Sequence, residues 1–256
     1  MHHQTHDAYE TFGAPTEGPF FVTCEHASKR VPAPLRTTAL DRAWMSSHWG
    51  YDIGARTLSL ELIRRTGSHG VMARFSRLVC DANREPGHPD LIRASTEGHA
   101  LSFNQQLDDA EVSRRLAAYH APYHAAIDEG LRARLRVEAG DVLLLSVHTF
   151  TPVWNHRVRP MDVGVLYAPY EALAQRLVGE LEREGFVTAL NQPYSGREGL
   201  IYAAERHGSN HQVVFLELEV NQSLTCTPAR ARATGKRVAA ALSRLHLRHR
   251  ARLLGP

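Results

Sequence analysis

Cysteine is scarce in this sequence: three residues, at positions 24, 80 and 226, with no C-x-x-C spacing. An odd count argues against a secreted disulfide framework and fits a reducing, cytoplasmic setting. Long hydrophobic runs are missing too. No stretch reaches the roughly eighteen apolar residues of a membrane span, and the opening MHHQTHDAYE lacks the basic segment and apolar core of an export signal. Neither membrane insertion nor export is expected. Nor is there an excess of one charge: 30 Lys and Arg face 27 Asp and Glu, a formal net charge of +3. That balance does not predict a nucleic-acid partner. The basic residues that cluster, Arg230, Arg232, Lys236, Arg237 and the run from Arg244 to Arg252, fit a solvated helix face.

Several catalytic signatures are absent as well. There is no G-x-G-x-x-G after a strand, no G-x-x-x-x-G-K-[ST], no G-x-S-x-G and no H-E-x-x-H. Nucleotide-dependent, serine-hydrolase and zincin readings all lose ground.

What is present is an α/β pattern. With 256 residues, 43% of them hydrophobic, the chain has material for one large core, and a single domain over 1–256 is expected, with 1–17 as a flexible tail. His2, His3 and His6 in that tail suit stray metal capture less well than simple mobility. Short apolar runs at 19–24, 70–75, 141–147, 163–167, 186–190 and 212–220 predict strands. Helical spacing or composition covers 52–66, 108–137, 170–184 and 228–247, with Pro122 dividing the second of these. The Gly-, Pro- and Asn-rich stretch NREPGHPDLIRASTEGHALSFNQQ reads as a long loop.

Several of these strands end in the same unusual way. FFVTC runs into Glu25 and His26; VMARF runs toward Ser76, Arg77, Asp81, Asn83 and Arg84; VLLLSV runs into His148; VVFLELEV carries Glu217 and Glu219. In open α/β sheets ligands bind beyond the carboxyl ends of the strands, so these groups should converge on one edge. A catalytic zinc site needs three N or O ligands and an open position for water. His26 and His148 supply two. Asp52, opening the helical stretch YDIGARTLSLELI, is the first choice for the third and Glu25 the second, since Glu25 and His26 point to opposite faces if the strand continues. Glu219 suits a general base, and Glu217 an orienting role. Arg77 and Arg84 are suited to a carboxylate or developing oxyanion, with Asn83 adding hydrogen bonds.

Each residue type has a commonplace alternative. Asp52 equally suits a helix N-cap, Asp81 a turn and the arginines surface ion pairs. Cys24 and Cys80 read as small buried packers rather than nucleophiles. His48, His120, His124, His207 and His211 have no context comparable to that of His26 and His148.

Taken in order, TCEHASKRVP, WGYDIGA, SRLVCDANREP, SVHTFTP, DVGVLY, NQPYSG and LELEVNQ resemble the successive blocks of the N-formylglutamate amidohydrolase family, from about residue 20 to 225. The resemblance implies a zinc-carboxypeptidase-like three-layer α/β/α fold with a mixed, mostly parallel sheet. It also implies one Zn2+ and hydrolysis of a small acidic N-acyl amino acid, the type substrate being N-formyl-L-glutamate. Carried over by motif, His26 and His148 are metal ligands and Glu219 the catalytic carboxylate. Asn83 and Arg84, with Asp81 in the same Asp-x-Asn-Arg segment, form the substrate-binding group, and Arg77 polarises the scissile carbonyl. The chain departs from the pattern after Glu219, where Asn221 and Ser223 stand in place of the family's frequent Arg and Asp. A related amidase or peptidase acting on a short peptide or cell-wall fragment, and a non-catalytic binding protein, are the competing readings.

Overall fold

The structure, a computed structural model, describes residues 3–137 and 142–253, with side chains as far as residue 246 in the last helix. His2, residue 141 of the expected third strand and the basic side chains beyond 246 lie outside the described residues. In chain order the elements are β1 (His3–Thr5), β2 (Tyr9–Phe12), β3 (Phe20–Cys24), α1 (Ala39–Met45), α2 (Ala55–Thr66) and β4 (His69–Ala73). A short hairpin, β5 (Ser95–Thr96) and β6 (His99–Ala100), precedes α3 (Asp109–Arg115) and α4 (Ala121–Val137). Then come β7 (Leu143–Phe150), a second hairpin of β8 (Val153–Trp154) and β9 (Arg157–Val158), β10 (Val163–Leu166) and α5 (Glu171–Arg183). The chain closes with β11 (Thr188–Leu190), α6 (Tyr202–His211), β12 (Val214–Asn221) and α7 (Pro228–Leu253).

Eight strands form one sheet in the order β1-β2-β4-β3-β7-β12-β10-β11. The central four, β4, β3, β7 and β12, run parallel. They are near-continuous apolar runs because both faces are covered by helices. Alternate residues divide between two cores. Val22, Leu145 and Leu218 pack with Leu58 and Leu62 of α2, Leu177 and Leu181 of α5 and Leu242 of α7. Phe21, Leu144 and Phe215 pack with Tyr123 and Ile127 of α4 and Ala204 of α6 on the other face. Each such Leu or Phe removed from water contributes about 1.5–3 kcal/mol, which fixes the strand faces firmly. This is the three-layer α/β/α arrangement with a mixed, largely parallel sheet that the sequence predicts.

Five local features differ from or refine the expectation. Residues 3–12, expected within a flexible tail, form edge strands: β2 pairs antiparallel with β4, Phe12 is buried, and Arg56 binds Glu10 at 2.8 Å. The open edge of β4 recruits them because unpaired strand groups favour another strand. Helix α6 carries no aliphatic stripe. Its buried face is Ala203, Ala204, His207 and Gly208, so the usual periodic signal is missing. Helix α1 is short but held by a capping box between Thr38 and Asp41. In the second expected helix region a π-helical turn at Leu116–His120 separates α3 from α4, just before Pro122, whose missing N–H breaks the regular ladder. The long loop is ordered by the fully buried Arg115, which donates to Val79 O at 3.1 Å, Asn104 Oδ1 at 2.6 Å and Phe103 O at 2.5 Å.

Candidate active site

Strand β3 ends at Cys24, and the next two side chains are both buried. Glu25 continues the alternation that puts Phe21 on the α4 face, and its Oε1 accepts from Tyr123 of α4 at 2.8 Å. His26 leaves the strand, and its carbonyl accepts from Asp52 N at 3.0 Å, which pins the approach to α2. Gly54, not Asp52, is the N-cap of α2, with φ of 84°. A Cβ there would collide with the Thr225 carbonyl oxygen, so the turn requires glycine. Released from capping, the Asp52 carboxylate turns to His148 Nδ1 at 2.8 Å and Thr149 N at 3.2 Å. On the neighbouring strand, Glu219 is the register partner of His148, and Glu217 that of Ser146.

The two histidines are held alike. His26 Nε2 lies 2.7 Å from Asp81 Oδ1, and His148 Nε2 lies 2.9 Å from Glu25 Oε2. A carboxylate behind one ring nitrogen holds a proton there, which leaves the other nitrogen to give its lone pair to an ion when one is bound. Both Nδ1 atoms therefore face Asp52: that of His26 is 3.5 Å from Oδ1, has no hydrogen bond and is buried. His26, Asp52 and His148 each offer a ligand atom within 4.8 Å of the others. Two imidazoles, a carboxylate and a buried nitrogen left without a partner suit a zinc ion.

The electrostatics point the same way. Glu25, Asp52, Asp81, Glu217 and Glu219 are all buried around this point. Burial opposes the Glu25 charge, but hydrogen bonds from His148, Ser146 and Tyr123 bring its pKa down to about 2. Asp52 is likewise held below the carboxylate range, burial being outweighed by the charge and hydrogen bonds of His26 and His148. Burial, with the like charges of Glu25 and Asp52, pushes Glu217 up to about 7. Glu219 is pushed well up by burial first, then by Asp52 and Glu217, and its Oε2 has no hydrogen bond. Such a crowd of carboxylates favours a bound cation and keeps Glu219 able to hold a proton.

One cavity of about 220 Å3 is lined by His26, Asp52, Arg77, Asp81, Asn83, Arg84, His148, Glu217 and Glu219, so every residue singled out at the strand ends except Glu25 and Ser76 reaches it. Glu25 sits behind His148 instead. Asp81 differs from the expectation of a substrate contact: Oδ1 accepts from His26 and from Asn83 N at 2.9 Å, and Oδ2 from Arg77 at 2.9 Å. With both oxygens engaged, it orients neighbours. Asn83 Oδ1 accepts from Ala203 N at 2.9 Å, while its amide nitrogen makes only long contacts, 3.4 Å to Leu200 O and 3.5 Å to Glu217 Oε2. Arg84 Nε is buried without a partner.

The cavity also has a wall that sequence reading missed: His48, Trp49, Trp154 and Tyr194. Trp49 and Trp154 lie 5.8 Å apart between ring centroids, and the Arg159 guanidinium lies over Phe150, Trp154 and Tyr194 at 5.7, 5.6 and 5.3 Å. These residues come from loops and the β8–β9 hairpin, where no periodicity marks them. The buried cysteines play no part, and burial raises the Cys80 thiol to about 12.

A largely parallel α/β sheet with imidazoles, carboxylates and arginines gathered at its strand ends defines a hydrolase-type α/β protein. More particularly, the N-formylglutamate amidohydrolase family model matches residues 18–226, and the chain belongs to that family of amidohydrolases. The crystal structure of gene product Atu2144 from Agrobacterium tumefaciens is 27% identical, with a TM-score of 0.83 over 94% of this chain and 96% of that one. The crystal structure of an N-formylglutamate amidohydrolase from Ralstonia eutropha JMP134, 22% identical, shares the fold with a TM-score of 0.70 over 94% of this chain and 96% of that one. No curated protein matches the sequence. Among the described residues, no helix is long and apolar enough to cross a membrane.

Proposed function

We propose that this chain is a zinc-dependent amidohydrolase that cleaves a small acidic N-acyl amino acid, N-formyl-L-glutamate first among them, to the acid and the free amino acid. His26, Asp52 and His148 would hold the ion, which when bound supplies Lewis acidity to water and to the acyl carbonyl. Glu219 takes the proton of the attacking water through Oε2 and hands it to the departing amine; a carboxylate raised by burial suits that double task. Arg77, at the cavity wall, donates to the oxygen that gains charge. Arg84 and the Asn83 amide anchor the substrate α-carboxylate. Asp81 and Glu25 keep the two imidazoles turned.

The observation that carries this reading is that His26 and Glu219 line one cavity and that His26 Nδ1 and Glu219 Oε2 are both buried and without hydrogen bonds. The cavity volume of about 220 Å3 favours one acylated amino acid over a peptide, since drug-sized ligands occupy roughly 300–1,000 Å3. The test is zinc content of tag-free protein beside His26→Ala and His148→Ala, with formate release from N-formylglutamate compared with N-acetyl amino acids and short peptides. Zinc lost in both variants, together with formate release, supports the reading. Failure of the wild type to take zinc at the His26 site overturns the mechanism, and hydrolysis confined to peptides overturns the substrate.

A further inference from the structure

On the far side of the Asp81–Arg84 segment lies a second set of histidines. His207 and His211 stand one turn apart on α6, facing Asp128 of α4. Asp128 Oδ1 lies 2.8 Å from His207 Nδ1 and 2.8 Å from His211 Nε2. Behind His207, its Nε2 meets His124 Nδ1 at 2.7 Å, and His124 Nε2 meets the Ala82 carbonyl oxygen at 3.1 Å.

Protons can be assigned along this chain from the partners alone. A backbone carbonyl only accepts, so His124 Nε2 carries a proton. With Nε2 donating to that carbonyl, a neutral His124 bears its lone pair on Nδ1. That nitrogen must accept from His207 Nε2–H. His207 is itself fully buried, and its neutral form then directs the Nδ1 lone pair at the Asp128 carboxylate. Two acceptors 2.8 Å apart with no proton between them repel, unless a cation joins them.

We propose that Asp128, His207 and His211 form a second divalent-metal site, for zinc or a similar first-row ion, separate from the centre at His26. Ligand atoms from the three residues already lie within 4.8 Å of one another. Paired imidazoles at i and i+4 with one carboxylate are a nitrogen-rich set that suits zinc. Solvent supplies the remaining position, because the Asp128 and His211 side chains are 18% and 11% exposed while His207 is closed off. The backing from His207 Nε2 through His124 to Ala82 fixes the ligand tautomer, as a partner behind a metal-bound imidazole commonly does. The ion clamps α4 to α6 directly behind the segment bearing Asp81, Asn83 and Arg84, so its work is structural. This inference does not depend on the proposed activity.

The test is zinc titration of metal-free protein by calorimetry and equilibrium dialysis, in a chain with His2, His3 and His6 replaced by Gln. Wild type in this background should bind about two zinc ions, and His26→Ala and His211→Ala about one each. In the His26→Ala chain, zinc should still raise Tm, and Asp128→Asn should remove that rise. Asp128→Asn keeps the side-chain shape, so the result stands even if His211→Ala folds poorly. One zinc in wild type, lost in His26→Ala and kept in Asp128→Asn, would overturn the proposal and leave His207 as a buried imidazolium paired with Asp128.

Discussion

Glu25 Oε2 lies 2.9 Å from His148 Nε2, and the two side chains are buried together, with Ser146 Oγ donating to the same oxygen at 2.7 Å. This contact turns the imidazole so that Nδ1 meets Asp52. Glu25→Gln retains the shape but removes the charge that keeps the proton on Nε2. We expect zinc affinity to fall about 10–100-fold, as for other groups behind metal-bound histidines. Chelator competition measures it, with circular dichroism to check the fold; an unchanged affinity would mean that packing alone sets the ring.

Glu219→Gln separates catalysis from assembly. Its carboxylate has no hydrogen bond at Oε2, so the amide should fit without disturbing the strand. We expect kcat to fall about 10²–10⁴-fold, the usual worth of a general acid–base group, while zinc content stays at the wild-type value. Loss of zinc along with activity would show that Glu219 supports the ion rather than the proton transfer.

Arg159 offers a test of substrate side-chain recognition. Its guanidinium covers Phe150, Trp154 and Tyr194, and its carbonyl lies 3.5 Å from the amide of Asn221, one of the positions at which this chain departs from its family's pattern. Arg159→Leu should raise KM for N-formylglutamate about tenfold, an exposed charge contact being worth about 1 kcal/mol or somewhat more, and change KM for N-formylleucine little. An equal rise for both substrates would point to a packing role.

Asp41 ties α1 to the long loop: it accepts from Thr38 N at 2.7 Å and Ser102 N at 3.1 Å. Burial would raise its pKa, but hydrogen bonds from Ser102 and Thr38 dominate and hold it below the usual range. A depressed carboxyl stabilises the fold above its unfolded pKa of about 3.9, and the contribution fades as pH falls through the lower folded value. Asp41→Asn should therefore destabilise by about 1–3 kcal/mol at neutral pH, with the gap to wild type narrowing below about pH 4. Urea unfolding at several pH values reads this directly; a gap that widens toward acid would contradict it.

Much of the site was legible because its chemistry sits where apolar strands stop. The runs before His26, His148 and Glu219 are periodic and hydrophobic, so the polar residues at their ends stand out against a physical background. Asp52 and Glu25 could not be told apart that way, since the difference lies in a glycine turn that frees one carboxylate and a tyrosine on α4 that captures the other. His124, His207 and His211 were passed over for a related reason. The helix carrying two of them buries alanine, glycine and imidazole rather than leucine, and a face built by close approach leaves no hydrophobic rhythm. The aromatic wall was invisible because Trp49, Trp154 and Tyr194 meet only through tertiary structure.

The register of β7 and β12 has one more consequence. His148 and Glu219 occupy the same rung of a hydrogen-bonded ladder, so the backbone spacing between the proposed ligand and the proposed base is the strand separation itself, about 4.8 Å. Loops can loosen, lengthen or be exchanged for others with different tastes in substrate, and the two reacting groups keep step. Slippage by one residue would bring Leu218 or Val220 to that rung and leave the chemistry facing the wrong side of the sheet. The spacing that the proposed chemistry needs is thus written into the ladder of the central sheet, and the loops at the cavity mouth are left free to vary.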